Sequence, residues 1–548
     1  MSYSQAWLDS PEAIRGVLVE AVVSINGVST TKYLSNIGFM TTDALVSFDP
    51  IISGSISVND SLSLELQTTM SFGDIEIFNP NGDYDIWLDS THVWVNKSIK
   101  VYIGDPTWPV ASLAELHLGN VFKKVFDGVI ADVDSRNRST LNIKVRDKLE
   151  RLNTPITEVE LGGTGVWGGP NNGGGASGTE SQATKESIVP LVFGEVYNYE
   201  PLLEDPATLK YRINQGPIEK IIELRDNGVP IHTNGNSGNT RDSSPALVYS
   251  LTESSISLQH PLAGTLTMSI QGVKKSRNLT PITGDGTAVA SYNNNIANII
   301  ALIVTEYGKV SENLNYSPSD LDLPNLIEFQ ANNPQPVGIL ITDKANTLQV
   351  CQELASSIGA QVHMSPEGKL GLVRLGVYTT VGVTNTNPIT DNEILQHTLE
   401  ISQRSTVRAK TIINYCKNWS IQQDLLTSIP TNHKKLFAEE YVDPAFSEDT
   451  GVAAVYKLSL KPEPENTLLV SKADATVEAI RRNNYFKVPR TVYKFTGRAS
   501  LMSLILGQQV TLIHNRFGLY NGGSGKVGQV ISLVSNWNNG TIDVEVII

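Results

Sequence analysis

The sequence predicts a mainly β, multidomain chain interrupted by one α+β insert. Three observations carry that expectation. The chain has 548 residues, 40% hydrophobic and 18% charged, too long for a single core and too apolar for disorder, so roughly three or four domains of about 100–200 residues are expected. Both ends alternate apolar and polar residues with a period of two, the signature of strands. Helical spacing is concentrated between about residues 290 and 360.

In the N-terminal part, Val17, Val19, Ala21, Val23 and Ile25 point one way, and Ile56, Val58, Leu62, Leu64 and Leu66 repeat the pattern. Half-buried antiparallel strands follow. Ile75 and Ile77 lead into Asn81-Gly82, Ile103 into Gly104-Asp105, and Val125 into Asp127-Gly128 before Val129. Each glycine pair reads as a turn, because Gly takes positive φ at little cost. Arg146 to Leu152 has a short helical pattern, and a first β unit is expected to end near Pro155, giving a domain of residues 1–160.

The stretch from Gly162 to Gly178 holds nine glycines in 17 positions, which reads as a linker or loop within 161–186. It lacks the Gly-Lys-Ser/Thr ending of a phosphate-binding loop. A small β domain is expected over 187–280, with Val192, Ile213, Ile221, Leu224, Met268 and Ile270 between polar turns such as Asp226-Asn227-Gly228.

An α+β insert is expected over 281–400. Ile296, Ile299, Ile300, Ile303 and Val304 recur at helical spacing and stop at Gly308; a second helix runs from Asp343 or Asn346 to Gly359; a hairpin follows over Gln361–Arg374, turning at Pro366-Glu367-Gly368. The C-terminal β-rich domain, 401–548, is broken by a helix from Ser471 to Asn484 whose Ala473, Val477 and Ile480 share a face.

The 42 Lys and Arg against 56 Asp and Glu give a net charge of −14. This argues against a broad basic face that grips nucleic acid, but not against a passage that repels it. The first 15 residues have neither a signal nor a transit pattern, and no run approaches the roughly 18–20 apolar residues of a spanning helix. Cys351 and Cys416 lie far apart, with no disulfide framework and no zinc spacing, and read as core thiols made in a reducing place.

Residues with chemical potential are few. Asp83, Asp85 and Asp89 offer carboxylates for glycoside hydrolysis or calcium, but without calcium-loop spacing, and turn-forming Asp after Asn-Gly is the commoner role. His514 is a possible base or a hydrogen-bonded structural residue. Trp87, Trp94 and Trp108 offer a sugar platform or packing in a core or subunit interface. No Gly-x-Ser-x-Gly, His-Glu-x-x-His or Cys/His pairing is present. No catalytic, cofactor-binding or metal residue is assigned, and no cofactor is expected.

The run Gly73-Asp74-Ile75-Glu76-Ile77-Phe78-Asn79-Pro80-Asn81-Gly82-Asp83-Tyr84-Asp85-Ile86-Trp87-Leu88, with Val93–Lys97 and Val101–Asp105, resembles the N-terminal domain of tail hub proteins of long-tailed, siphovirus-like bacteriophages. Phe126–Ile130 and Val145–Leu152 continue the likeness. Val189–Tyr197, Gly507–Leu512 and Arg516–Leu519 are similar to later hub segments.

The resemblance implies two tube-like β-barrel domains per subunit and a pseudo-sixfold trimeric ring adapting a sixfold tail tube to a threefold tip. It further implies a virion protein at the tail tip, made in the host cytoplasm. The implied partners are two further copies, a distal tail protein or tube above, fibre or tip proteins below, tape-measure protein in the lumen, and DNA passing without specific binding. Patterning alone stops at a multidomain β-rich protein. A tail-associated cell-wall hydrolase and a receptor-binding tip protein are the alternatives; the first needs an acid–base pair in a cleft, the second exposed tryptophans around Trp87 to Trp108.

Overall fold

A computed structural model describes residues 4–10, 13–54, 56–64, 70–162, 184–235, 241–243, 246–281, 283–308, 316–383, 386–423, 425, 427 and 429–548. The chain is mainly β, with several sheets and shorter helical stretches, and forms two compact units. Residues 1–151, 360–406 and 489–548 make the first; 152–359 and 407–488 make the second. The Gly-rich tract lies outside the described residues except for Gly162, as does Leu66.

The first unit is built on one long sheet. Its strand order is Glu400–Arg404, Thr491–Arg498, Thr541–Ile547, Lys526–Asn536, Ser57–Ser61, Phe72–Phe78, Thr140–Asp147, Phe122–Asn137, Ser98–Gly104, Gly16–Ile25, Val28–Ser35, Ser47–Pro50 and Phe39–Met40. The path has two ends, and no closed barrel is found among the described residues. The strand Ser57–Ser61 joins the N-terminal and C-terminal strand sets within this path.

We call Ser57–Ser61 the seam strand. It pairs antiparallel with Lys526–Asn536 over five residues, Ser57 opposite Asn536 and Ser61 opposite Ser532, and with Phe72–Phe78 over three. Asn538 holds the entry to the seam, its Nδ2 donating to the Gly54 carbonyl at 2.9 Å.

The alternation read in Gly16–Ile25 is real: Val17, Val19, Ala21 and Val23 are fully buried. The strand is nevertheless buried on both faces at its start, because Leu18 joins a second cluster with Phe48, Tyr102, Val110, Leu116 and Phe122. The Ile56–Leu66 pattern gives a strand only to Ser61.

Asp127-Gly128 is not a turn. It sits inside the 16-residue strand Phe122–Asn137, and a Cβ on Gly128 would lie 2.2 Å from the Arg146 carbonyl oxygen and 2.6 Å from the Phe126 ring. Glycine is required there by close approach of the neighbouring strand. The hairpin Ala360–Met364 with Leu370–Arg374 does turn where the sequence places it, with Gly368 at φ +74°.

In the second unit two five-stranded sheets share a core. One runs Val229–Gly235, Ile218–Asp226, Leu266–Val273, Leu191–Tyr199, Gly338–Ile341; the other runs Leu202–Asp205, Lys210–Arg212, Ser255–Leu258, Ala246–Ser250, Arg241–Ser243. Val196, Tyr199, Ile213, Ile221, Leu224, Tyr249, Ile256, Met268 and Ile270 fill the core. Asn227-Gly228 makes the two-residue hairpin, both at positive φ.

The helix Ile296–Glu306 starts at an Asn295 cap and is buried from Ile296 through Val304. The helix Thr347–Ser356 starts at Asn346. In this unit the helices Leu323–Asn332, Thr431–Ala438 and Thr450–Tyr456 are additions to the sequence expectation, as are the short Gln5–Asp9 and Leu113–His117 in the first unit. The first carried readable signals, the Asp322 cap and Pro324 in its first turn.

In the helix Lys472–Phe486 the face shared by Ala473, Val477 and Ile480 is turned outward. Val477 and Ile480 are exposed, whereas Ala475, Glu478, Ala479, Arg482, Asn483 and Phe486 are buried. A buried ion cluster compensates: Arg482 Nε donates to Glu478 at 2.6 Å and Nη2 to the Ser356 and Ser357 carbonyls at 2.7 and 3.1 Å, while Nη1 meets Glu465. Burial alone would lower the guanidinium pKa, but Glu478 and Glu465 raise it above its ordinary value.

Candidate functional site

The candidate site in the first unit lies at the seam strand, whose sequence Ser-Val-Asn-Asp-Ser is mostly polar. Asp60 closes on the end of Thr140–Asp147 through a single serine. Ser71 Oγ donates to Asp60 Oδ1 at 3.0 Å, and Ser71 N–H donates to Asp147 Oδ2 at 2.6 Å. Leu149 N–H donates to the other Asp147 oxygen at 2.9 Å.

From the hairpin, His363 Nδ1 stands 3.7 Å from Asp60 Oδ1. Gln361, itself buried, clamps the next residues: its Oε1 accepts from Ser63 N–H at 2.9 Å and its Nε2 donates to the Ser63 carbonyl at 2.7 Å. Burial pushes the Asp60 carboxyl up to about 7, against the lowering effect of Ser71. Burial does the same to Asp147, also to about 7, with the charge of Asp60 adding to the rise and the Ser71 and Leu149 amides opposing it. Both carboxyls are thus held above the ordinary carboxylate range, chiefly by burial.

The residues singled out from sequence take structural positions. Asp85 accepts from Asn79 Nδ2 at 2.7 Å and Asp89 from Thr91 N–H at 2.8 Å, so both hold local turns. Trp87 and Trp94 are buried and packed with ring centroids 5.1 Å apart and planes tilted by 53°, and Trp94 Nε1 donates to the Trp87 carbonyl at 2.9 Å. Trp108 lies apart, beside Trp7. The exposed-tryptophan platform needed for glycan reading is therefore not formed by Trp87 and Trp94.

His514 has both nitrogens engaged, Nδ1 accepting from Arg516 N–H at 3.0 Å and Nε2 3.1 Å from Asp391. Cys351 is fully buried on its helix, and burial pushes its thiol up to about 12. Cys416 is not in a strand; it follows Lys410–Asn414 in a bend with φ +51°.

The second unit has a cleft of about 680 Å³ bordered by Glu200, Leu203, Tyr211, Thr265 and Thr342, in which Glu200 is the one carboxylate among the described residues. Another, of about 330 Å³, has Glu463 and Glu465 on its rim, and Glu465 is held by Arg408 and Arg482. Among the described residues no group of three or more His, Cys, Asp or Glu is arranged to hold a metal ion. No described helix is long and apolar enough to cross a membrane.

Sequence reasoning did not single out Asp60, Ser71, Gln361 or His363, and met Asp147 only within the hub-like run. The available signal was a carboxylate inside a strand pattern.

No protein-family profile matches the chain, and no curated protein matches it. Among solved structures, it is similar to a 43 kDa tail protein of prophage MuSo2 from Shewanella oneidensis, at 12% identity and TM-score 0.38, covering 97% of this chain and 98% of that one. It is similar to a tail protein from Neisseria meningitidis MC58, at 9% identity and TM-score 0.36, covering 97% and 96%. A chain of a native gene transfer agent virion matches at 11% identity and TM-score 0.41, covering 67% of this chain and 86% of that one.

Proposed function

We propose that this chain is a structural protein of a bacteriophage tail, the hub at the tail tip, and not an enzyme. The observation that carries this reading is the meeting of the two ends of the chain. The hub-like runs at 73–88, 101–105 and 126–130, the run at 145–152 as far as Arg151, and those at 507–512 and 516–519 belong to the first unit, whose N-terminal and C-terminal strands share one sheet across the seam.

In this reading residues 1–160 and the strands ending 401–548 supply the tube-like parts of a homotrimeric, pseudo-sixfold ring. The regions 187–280 and 281–400 are smaller domains of the same subunit. The ring joins a distal tail protein or tube above to fibre or tip proteins below, holds the end of the tape-measure protein, and opens for DNA. A net charge of −14 suits a conduit, since acidic walls repel phosphate and keep passing DNA from sticking. Closing a ring between copies also covers the open ends of the long sheet.

Gold-labelled antibody against the chain tests the reading on particles. Label at the tail tip, together with loss of assembled tails when the gene is deleted, is the expected result. Label elsewhere on the particle, or intact tails without the protein, refutes it.

A further inference from the structure

We propose that the seam strand is a proton-dependent latch: Asp60 and Asp147, joined through Ser71, hold Ser57–Ser61 between its two neighbours while they carry protons and loosen it when both are ionised. Three structural facts lead there. The seam is the one strand in the path that joins the N-terminal set to the C-terminal set, and its pairing to Phe72–Phe78 spans only three residues. Both carboxyls meet on Ser71, the residue immediately before that partner strand. Asp60 accepts from the Ser71 hydroxyl, and Asp147 from the Ser71 and Leu149 amides; three donors are few for two buried anions that can each accept about four hydrogen bonds.

The surrounding charges do not remove the conflict. Lys148, adjacent to Asp147, is engaged by Asp127 at 3.2 Å, and Arg146 by Glu150 at 2.9 Å. In Phe72–Phe78, Asp74 and Glu76 are both held by Arg136. Across the other edge, Lys526–Asn536 places Leu533 opposite Asp60. Among the described residues His363, from Ala360–Met364, stands 3.7 Å from Asp60, and a cationic imidazole there would favour an ionised Asp60 and so oppose the latch.

The sign follows from linkage. Each carboxyl binds its proton more tightly in the closed sheet than in an opened strand, where it returns to the ordinary carboxylate range. Closure is therefore fully favoured in acid and is lost progressively as pH rises to about 7, levelling above that value. Opening of the seam should rise about tenfold per pH unit for each carboxyl that releases a proton on closing-to-opening, until the closed-state groups have themselves ionised.

Hydrogen exchange of the full chain, read by mass spectrometry on peptides covering Val58–Ser61 and Ser532–Asn536 between pH 5 and 8, tests this. Rates are normalised for intrinsic exchange, with Gly16–Ile25 as an internal control. The expected result is a pH-dependent rise in opening confined to the seam peptides, a smaller slope in Asp60→Asn and in Asp147→Asn, and a retained slope in His363→Gln. A wild-type seam whose opening does not change with pH overturns the proposal, and that profile decides alone if a variant fails to fold. A slope kept by both Asn variants, or removed by His363→Gln, also overturns it.

Discussion

Arg482→Ala should destabilise the second unit by about 3 kcal/mol, and the number follows from what the side chain satisfies. Arg482 is almost fully buried and donates to Glu478, Glu465 and the carbonyls of Ser356 and Ser357. Those two carbonyls lie at the C-terminal end of the helix Thr347–Ser356, where the helix itself supplies no donors. Removing one partner of a buried ion pair typically costs 3–5 kcal/mol because the other charge is left uncompensated. Here Glu478 keeps Arg481, at 2.7 Å, and Glu465 keeps Arg408, at 2.6 Å, which places the expectation at about 3 kcal/mol, the low end of that range.

The assay is urea unfolding followed by circular dichroism, with hydrogen exchange on Lys472–Phe486 to assign the transition to this unit. Because removing both charges relieves the stranded anion, Arg482→Met combined with Glu478→Met should recover much of the loss. A loss below about 1 kcal/mol for Arg482→Ala, within the range of exposed pairs, refutes the account of this cluster.

Three further outcomes are expected. Gly128→Ala should destabilise the first unit by at least about 1–3 kcal/mol, since its Cβ would fall 2.2 Å from the Arg146 carbonyl; thermal unfolding with no change in midpoint would show that the strands can separate freely there. Trp94→Ala should remove about 3–5 kcal/mol of packing and reduce folded yield and tail assembly together, whereas normal assembly with lost adsorption would restore the receptor-binding reading. Cys351, buried with its thiol pushed up to about 12, should resist iodoacetamide at pH 8 until the protein is unfolded; rapid labelling of the native chain, located by mass spectrometry, would contradict its burial.

Local patterns were legible where the chain solves its folding problem locally. Val17 to Val23, the Ile296 helix and the Gly368 hairpin each announce themselves through spacing and turn chemistry. What was not legible depends on distant partners. Gly128 looks like a turn until the Arg146 strand is placed beside it, and Ser57–Ser61 finds Lys526–Asn536 more than 460 positions away. The Lys472–Phe486 helix inverts the usual reading because its buried face is neutralised by ion pairs, leaving Val477 and Ile480 outside. The Asp60–Ser71–Asp147 site escaped for the same reason: its three residues come from three different segments, and none forms a motif with its sequence neighbours.

The most direct test of the hub reading is the mass of the purified protein in solution, by light scattering coupled to size exclusion at several concentrations and again with its tail neighbours present. The account predicts a stable species of three times 59.6 kDa. A chain that remains at 59.6 kDa under every one of those conditions contradicts it.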